Sequence, residues 1–460
     1  MYISPTLVPR ATRSLTPQIK YLLLQTTIMA EARPLDIIII GAGIAGLTAA
    51  GALGRQGHHV VVLEKSKFNK ETGAAINAPP NCTALLEWMN IDLRDYGGTL
   101  LEEVMRHDHQ GTVKFHTDLG PIRKLWQAEY YLVHRCDLHG ALKAQALKTA
   151  KVHTECEIVS VNTSTNRPSV TLDDGRVFEG DLLVGADGLH SIVRTKIAPN
   201  APSPTPAGKS CFRWLLSASD IRESETTKHV VRRGALMEWA EGGKARLVMY
   251  PCSNNEVLNL VAFMPTAKVG KLGEGYEAAG NKGILINGFE DFCPAVRELV
   301  ERASDDLKVW QLYDMEALPR YVVERAALIG DAAHPFQPYF GQGGAMAIED
   351  AVSLAVLLPM GTTVNDIPSR LKLYENTRRP RVELTLHYTA LNARNEDQEC
   401  TDPETAAEMA RIMGQIGAHN EVANSTAVLQ EALTRSTSGP AEANGAALDI
   451  TQPAAPSDQV

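Results

Sequence analysis

Ile37 to Ile40 is an unbroken run of β-branched residues, followed by Gly41-Ala42-Gly43-Ile44-Ala45-Gly46 and an alanine-rich stretch closing at Arg55. This order predicts a buried strand, a tight turn and a helix. Gly57-His58-His59 then leads into Val60 to Leu63, a second apolar run that ends at Glu64. Strand, helix and strand within about thirty residues make a βαβ unit, whose crossover sets the two strands parallel.

Farther along, Leu138 to Ala150 has helical spacing, Val170 to Phe178 reads as strands around the turn Asp173-Asp174-Gly175-Arg176, and Asp181 to Val184 as one more strand. Between residues 205 and 320 the pattern changes to strand-like runs such as Ala245 to Tyr250 and Val257 to Met264, separated by polar turns. That predicts an antiparallel sheet and a second domain. Ala326 to Ile329 is a further strand. It enters LIGDAAHPFQPYFGQGG, residues 328 to 344, and the chain leaves into a helix with Ala345, Ile348, Val352 and Ala355 on one face. Pro359 should stop that helix. Residues 404 to 434 read as amphipathic helices, and Ser436 to Val460, rich in Pro, Ala, Ser and Gly, as a disordered tail. No internal repeat is visible.

Composition changes this picture little. A chain of 460 residues exceeds one simple core, and 44% hydrophobic with 22% charged residues is ordinary for a globular protein. A net charge of -9 without a Lys/Arg block argues against nucleic acid. No apolar run approaches the ~18 residues of a membrane-spanning helix. The seven cysteines contain no CxxC pair, which points to a reducing, cytoplasmic setting and away from structural zinc. Residues 1 to 30 lack Asp and Glu and carry Arg10, Arg13 and Lys20, as an organellar leader does, but Met29 could equally be the natural start. Residues 1 to 33 are therefore set aside as leader or extension.

The glycine pattern at Gly41, Gly43 and Gly46 has a physical reading as a dinucleotide turn. Gly41 makes the turn, Gly43 admits a phosphate and Gly46 lets helix and strand pack closely. The helix N-terminus then offers free N–H groups to a pyrophosphate, and Glu64 stands where a carboxylate can accept from ribose hydroxyls. A second strand-turn-helix passage, GDLLVGADGLHSIVR, carries Asp187, with Ser191 and Arg194 beyond it. Read alone, it is equally a capped turn. His58-His59 and His107-Asp108-His109 suggest metal ligands, but no third ligand has sequence support and no metal is expected. The Asp331 and His334 loop, read by itself, leaves catalytic, metal and binding roles open.

Taken together in order, GAGIAG with Glu64, GDLLVGADGLHSIVR and LIGDAAHPFQPYFGQGGAMAIEDA resemble the flavin-dependent aromatic hydroxylases of the para-hydroxybenzoate hydroxylase and salicylate hydroxylase type. The segment Tyr131 to His139 adds a fourth match, and the likeness runs from Leu35 to Asn395. It implies an α/β fold: a Rossmann-like FAD-binding domain with a parallel sheet, interleaved with an α+β substrate domain on an antiparallel sheet, then C-terminal helices. The expected division is FAD domain 34–204 with a substrate-domain insertion near 75–130, substrate domain 205–320, FAD domain again 321–395, helices 396–435 and tail 436–460.

The resemblance implies FAD as cofactor, NADPH or NADH as reductant, O2 as co-substrate and a small aromatic substrate, in a monomer or homodimer. It puts Asp331 on the ribitol and lays Pro338, Gly341, Gly343 and Gly344 against the isoalloxazine, where backbone dipoles stabilise the reduced anion. Ala75, Arg135 and Asp187 are expected as further flavin contacts, and His334 becomes scaffold. Arg213 and Tyr250 are expected on the substrate side, the arginine holding a phenolate or carboxylate and the tyrosine orienting or deprotonating a phenol. The implied activity is NAD(P)H-dependent insertion of one oxygen atom through a flavin C4a-hydroperoxide. The alternatives are an FAD oxidase or dehydrogenase, and a binding protein without redox activity. Gly344 replaces a small residue other than glycine, and Lys65 to Thr72 is a variable stretch; neither departure touches flavin binding.

Overall fold

The structure, a computed structural model, describes residues 33–67, 74–163, 166–269, 278–305, 307–396 and 403–437. The expected leader and tail lie outside the described residues.

The first βαβ unit forms as its pattern predicts: strand Asp36–Ile40, helix Ile44–Arg55, strand His59–Leu63. Its β-branched residues cannot face water on either side, and Ile37 to Ile40 are all nearly fully buried. They sit inside a six-stranded sheet, ordered 322–323, 326–328, 182–185, 36–40, 59–63, 150–153. Ile37 to Ile40 pair in parallel with Val60 to Leu63 on one side and with Leu182 to Gly185 on the other. The chain order reverses there, so a crevice opens beyond the carboxyl end of Asp36–Ile40, the place where such sheets bind ligands.

A second sheet has eight strands, in the order 278–279, 308–314, 205–217, 257–265, 245–252, 235–241, 103–108, 113–118. All neighbours are antiparallel except Glu103–Asp108 against Ala235–Glu241, which run parallel. The hairpin from the 103–118 region thus joins a sheet built mainly from residues a hundred positions later. A smaller sheet is made of Ala75–Ala78, Tyr131–His134 and Thr99–Leu100, and Tyr131–His134 contacts Ala245–Cys252 of the eight-stranded sheet.

Boundaries differ from the sequence reading in two places. The helix expected from Leu138 begins at Arg135 and ends at Ala146, because Ala150–His153 is drawn off as the edge strand beside His59–Leu63. A helix of 30 residues, Ile367–Glu396, was not anticipated; it keeps Pro380 within its span. Two more helices, Pro403–Ala418 and Glu421–Thr437, complete the C-terminal end. The helix Gly343–Leu357 stops before Pro359, as expected, and is almost wholly buried between Ile44–Arg55 and the C-terminal helices. Among the described residues no helix is long and apolar enough to cross a membrane.

Ile39 has no exposed surface in the centre of the parallel sheet. Ile39→Ala should therefore lower unfolding free energy by about 2–5 kcal/mol in a denaturant titration, through lost burial and the cavity left behind.

Candidate functional site

The turn after the first strand is set by contact. Gly41 has φ +97°, and a Cβ there would overlap the Ala186 carbonyl oxygen. A Cβ on Gly46 would overlap the Gly41 carbonyl in turn. Gly43 differs, because nothing lies within 4 Å of where its Cβ would be. The helix Ile44–Arg55 starts at that point with no side-chain cap. Its first-turn N–H groups and positive dipole end therefore adjoin open space, an arrangement that suits a pyrophosphate. Glu64 braces the turn: one carboxylate oxygen accepts from the Ala42 N–H at 2.7 Å, the other from Ser66 N–H at 2.8 Å.

The loop that follows Ala326–Leu328 forms the second wall. Gly330 has φ +60°, and its N–H donates to Asp350 Oδ2 at 2.9 Å. Asp331 points into a recess of about 80 Å³ that also receives Pro338, Arg213, Trp310 and Gln311. No hydrogen bond from the described residues reaches its carboxylate. Solvent touches this carboxyl from the recess while protein rings it on other sides; the burial raises its pKa, opposed by His334, Arg194 and Arg135. A free acceptor facing a recess suits a polyol chain.

Asp187 caps its own segment, and Arg194 fastens that segment to the neighbouring strand end. Asp187 accepts from Ser191 Oγ at 2.6 Å and from Ile192 N–H at 2.7 Å, so the helix-cap reading of this segment is realised. Burial raises the Asp187 pKa against those bonds. Arg194, nearly buried, donates to the carbonyls of Leu189, Asp331 and Ala332 at 2.7, 2.8 and 2.8 Å. It ties the Asp-Gly segment to the Gly330 loop, and the sequence reading gave it no role.

The third wall is Gly341 to Gly344. Gly341 has φ +64° and lies so close to Asn77 that a Cβ would overlap its amide. A Cβ on Gly344 would stand 2.6 Å from Ile76 Cδ1. The helix Gly343–Leu357 starts here, again without a side-chain cap, so its first-turn N–H groups have no side-chain acceptor. Arg135 begins its own helix, and its N–H donates to the Ala74 carbonyl at 2.8 Å.

The two substrate-side candidates are placed differently. Arg213, on Thr205–Ser217, lines the same recess as Asp331, its guanidinium 5.6 Å from the Trp310 ring. Tyr250 is buried, and its hydroxyl donates to the Ala75 carbonyl at 2.9 Å. The cross-strand neighbour of Tyr250, Asn259, accepts from the Ala75 N–H, also at 2.9 Å. Both backbone groups of Ala75 are thus held by one pair of side chains. Burial pushes the Tyr250 hydroxyl pKa up. In this arrangement the phenol is a donor to the backbone and is poorly suited to act as a base.

The histidines that invited a metal reading have protein partners. His58 is buried between the Leu35 N–H and the Leu358 carbonyl, while His107 bonds the Glu238 carbonyl and stacks on Trp239. His109 packs on Phe292 instead, so the two rings of the HxH pattern go to different neighbours. One group that sequence reasoning missed, Glu349, His419 and Glu421, brings ligand atoms within 4.8 Å of one another. Arg378 already stands there, donating to Glu349 and Glu421 at 2.8 and 2.6 Å. A guanidinium therefore fills the place of a cation. Two adjacent acids in the apolar run AMAIEDAVSLAVL were the available signal, since a buried carboxylate demands a partner.

An α/β protein with a crevice at the strand reversal and a loop of backbone donors facing it belongs to the nucleotide-binding flavoprotein class. Residues 34–389 match the family model described as FAD binding domain. The chain is 31% identical over 369 residues to hispidin-3-hydroxylase of Neonothopanus nambi, covering 76% of this chain and 86% of that protein. It is 33% identical over 353 residues to 3-hydroxybenzoate 6-hydroxylase 1 of Aquipseudomonas alcaligenes, covering 75% and 84%. A salicylate hydroxylase substrate complex superposes with a TM-score of 0.72 at 22% identity, over 86% of this chain and 98% of that one. The chain belongs to the FAD binding domain family and is an FAD-dependent monooxygenase.

The glycines separate cofactor binding from folding. Gly46→Ala should destabilise the protein by about 1–3 kcal/mol with or without FAD, because its methyl meets backbone. Gly43→Ala should leave the apoprotein's melting unchanged while weakening FAD roughly tenfold in a fluorescence titration, about 1.4 kcal/mol.

Proposed function

We propose that the enzyme uses NADPH or NADH and O2 to insert one oxygen atom into an activated, phenol-like aromatic or a related secondary metabolite. The observation that carries this reading is the recess in which Asp331 and Pro338 face Arg213, Trp310 and Gln311. A flavin-side loop and a cationic, aromatic substrate side meet across one small space. The names of the two relatives, a hispidin hydroxylase and a 3-hydroxybenzoate hydroxylase, support an electron-rich aromatic.

FAD, when bound, would supply the redox chemistry that links the nicotinamide to O2. The chain does the rest. Gly41, Gly43 and Gly46 with the helix end hold the pyrophosphate, Glu64 the adenosine ribose and Asp331 the ribitol. Ala75, Arg135 and Asp187 border the flavin. Gly341, Gly343 and Gly344 bring backbone N–H groups to the pyrimidine edge, where the dipole of Gly343–Leu357 favours a reduced, anionic ring. Arg213 holds a phenolate or carboxylate by charge-assisted bonds. Tyr250 serves the substrate side by fixing Ala75. A substrate seated in the recess would displace water there, which limits loss of the activated oxygen as peroxide.

A panel of hydroxylated aromatics, tested with NADPH and with NADH, should contain compounds that stimulate nicotinamide oxidation and yield a product heavier by one oxygen atom. Stoichiometric hydrogen peroxide with every compound, and no oxygenated product, would overturn the proposal. With such a substrate, Arg213→Ala should raise KM at least about tenfold while FAD stays bound, as loss of a charge-assisted contact predicts.

A further inference from the structure

We propose that Arg378 and Glu421 are positioning residues: through them the C-terminal helix Glu421–Thr437 sets how tightly the Gly330–Gly344 loop holds FAD. The inference rests on the family's FAD binding and not on the identity of the substrate.

Arg378, Glu349, Asp350 and Glu421 have no exposed side-chain surface, yet they come from three different helices. Arg378 Nη1 donates to Glu421 at 2.6 Å and to Glu349 at 2.8 Å, while its Nε donates to Asp350 Oδ1 at 2.8 Å. The other oxygen of Asp350 accepts from the Gly330 N–H at 2.9 Å and bonds His334 Nε2 at 2.6 Å. Gly330 and His334 bracket Asp331, the acceptor that faces the recess. The chain of contacts therefore runs Glu421, Arg378, Asp350, then both sides of Asp331, with no solvent in between.

The far end is itself braced. Glu421 accepts from Ser425 at 2.6 Å and bonds His419 at 2.7 Å, and Ser425 bonds Ser353 on the helix that begins at Gly343. Arg381 completes the set, donating to Glu349 and to the Ile416 carbonyl, both within 3.1 Å. Burial favours the neutral carboxyls, yet Arg381 and Arg378 hold Glu349 down at about 2, and His334 and Arg378 lower Asp350. Such a network restricts its members, because Arg378 Nε and Nη1 are both committed to buried carboxylates. If Glu421 loses its charge, Arg378 is drawn toward Glu349, and Asp350 and the Gly330 turn must follow. A network that only fastened the C-terminal helices would leave the loop indifferent to that change.

The test uses the full chain, reconstituted with FAD, in wild-type, Glu421→Gln, Glu421→Asp, Arg378→Lys and Leu429→Ala forms. Leu429 is a nearly buried core residue on the same helix and stands outside the ionic network. Measured are the FAD dissociation constant, by the fluorescence of released flavin, the midpoint potential of bound flavin, and the apoprotein melting temperature. Glu421→Gln should weaken FAD about tenfold and shift the potential, with Glu421→Asp partly restoring both. Leu429→Ala should lower melting with little change in either. FAD held as tightly by Glu421→Gln as by wild type, or no more weakly than by Leu429→Ala, would overturn the proposal. Should Arg378→Lys fail to fold, a cycle of Glu421→Gln with His334→Gln decides. Non-additive effects on FAD affinity support the relay, and additive effects refute it.

Discussion

Asp350, a carboxylate with no exposed surface, accepts from the Gly330 backbone, bonds His334 and receives the Arg378 guanidinium. A buried charge survives only when fully paired, and each of its partners is thereby committed to one position. Gly330 is committed to a left-handed turn, which carries Asp331 into the recess. His334 is committed to scaffolding, although its sequence setting beside Asp331 first suggests proton transfer. The helix Gly343–Leu357 is committed to a buried path between the first βαβ helix and the C-terminal helices. A buried ionic core backs the start of the Gly330–Gly344 loop.

Opposite that wall, the antiparallel sheet reaches the flavin side through a few contacts. Tyr250 and Asn259 grip Ala75 at both of its backbone groups, and the next two residues, Ile76 and Asn77, crowd Gly344 and Gly341. Glycine is favoured at Gly341 by a positive φ and the close Asn77 side chain, whereas at Gly344 an added Cβ would meet only the movable end of Ile76. The sheet carrying Arg213 is thus registered against the loop carrying Asp331 through one short strand. This stack of contacts sets the spacing between Arg213's sheet and the Gly341–Gly344 segment.

Much of this organisation is legible in the sequence, for identifiable reasons. The βαβ unit announces itself because its strands are buried on both faces and its turn needs glycines at fixed places, so local pattern and tertiary role coincide. The loop from Gly330 to Gly344 is legible for the same reason, and its motif order carries the family. What stays hidden depends on long-range pairing. Nothing near residue 103 says that it will run parallel to residues 235–241. The helix Ile367–Glu396 is obscured by Pro380, which local rules treat as a breaker. Arg194 and Arg378 look like surface cations until the carbonyls and carboxylates they serve are brought to them. Tyr250 donates to the Ala75 carbonyl, a neighbour no local pattern discloses.

If the Gly330–Gly344 loop is a cofactor cradle whose acid and histidine carry no proton chemistry, a crystal structure of the FAD complex will show it. Expected are the Asp331 carboxylate within hydrogen-bond distance of a ribityl hydroxyl, backbone N–H groups near Gly343 and Gly344 turned to the flavin pyrimidine edge, and His334 still bonded to Asp350 behind the loop. A flavin bound away from this loop, or His334 released from Asp350 and turned toward the substrate, would contradict that assignment.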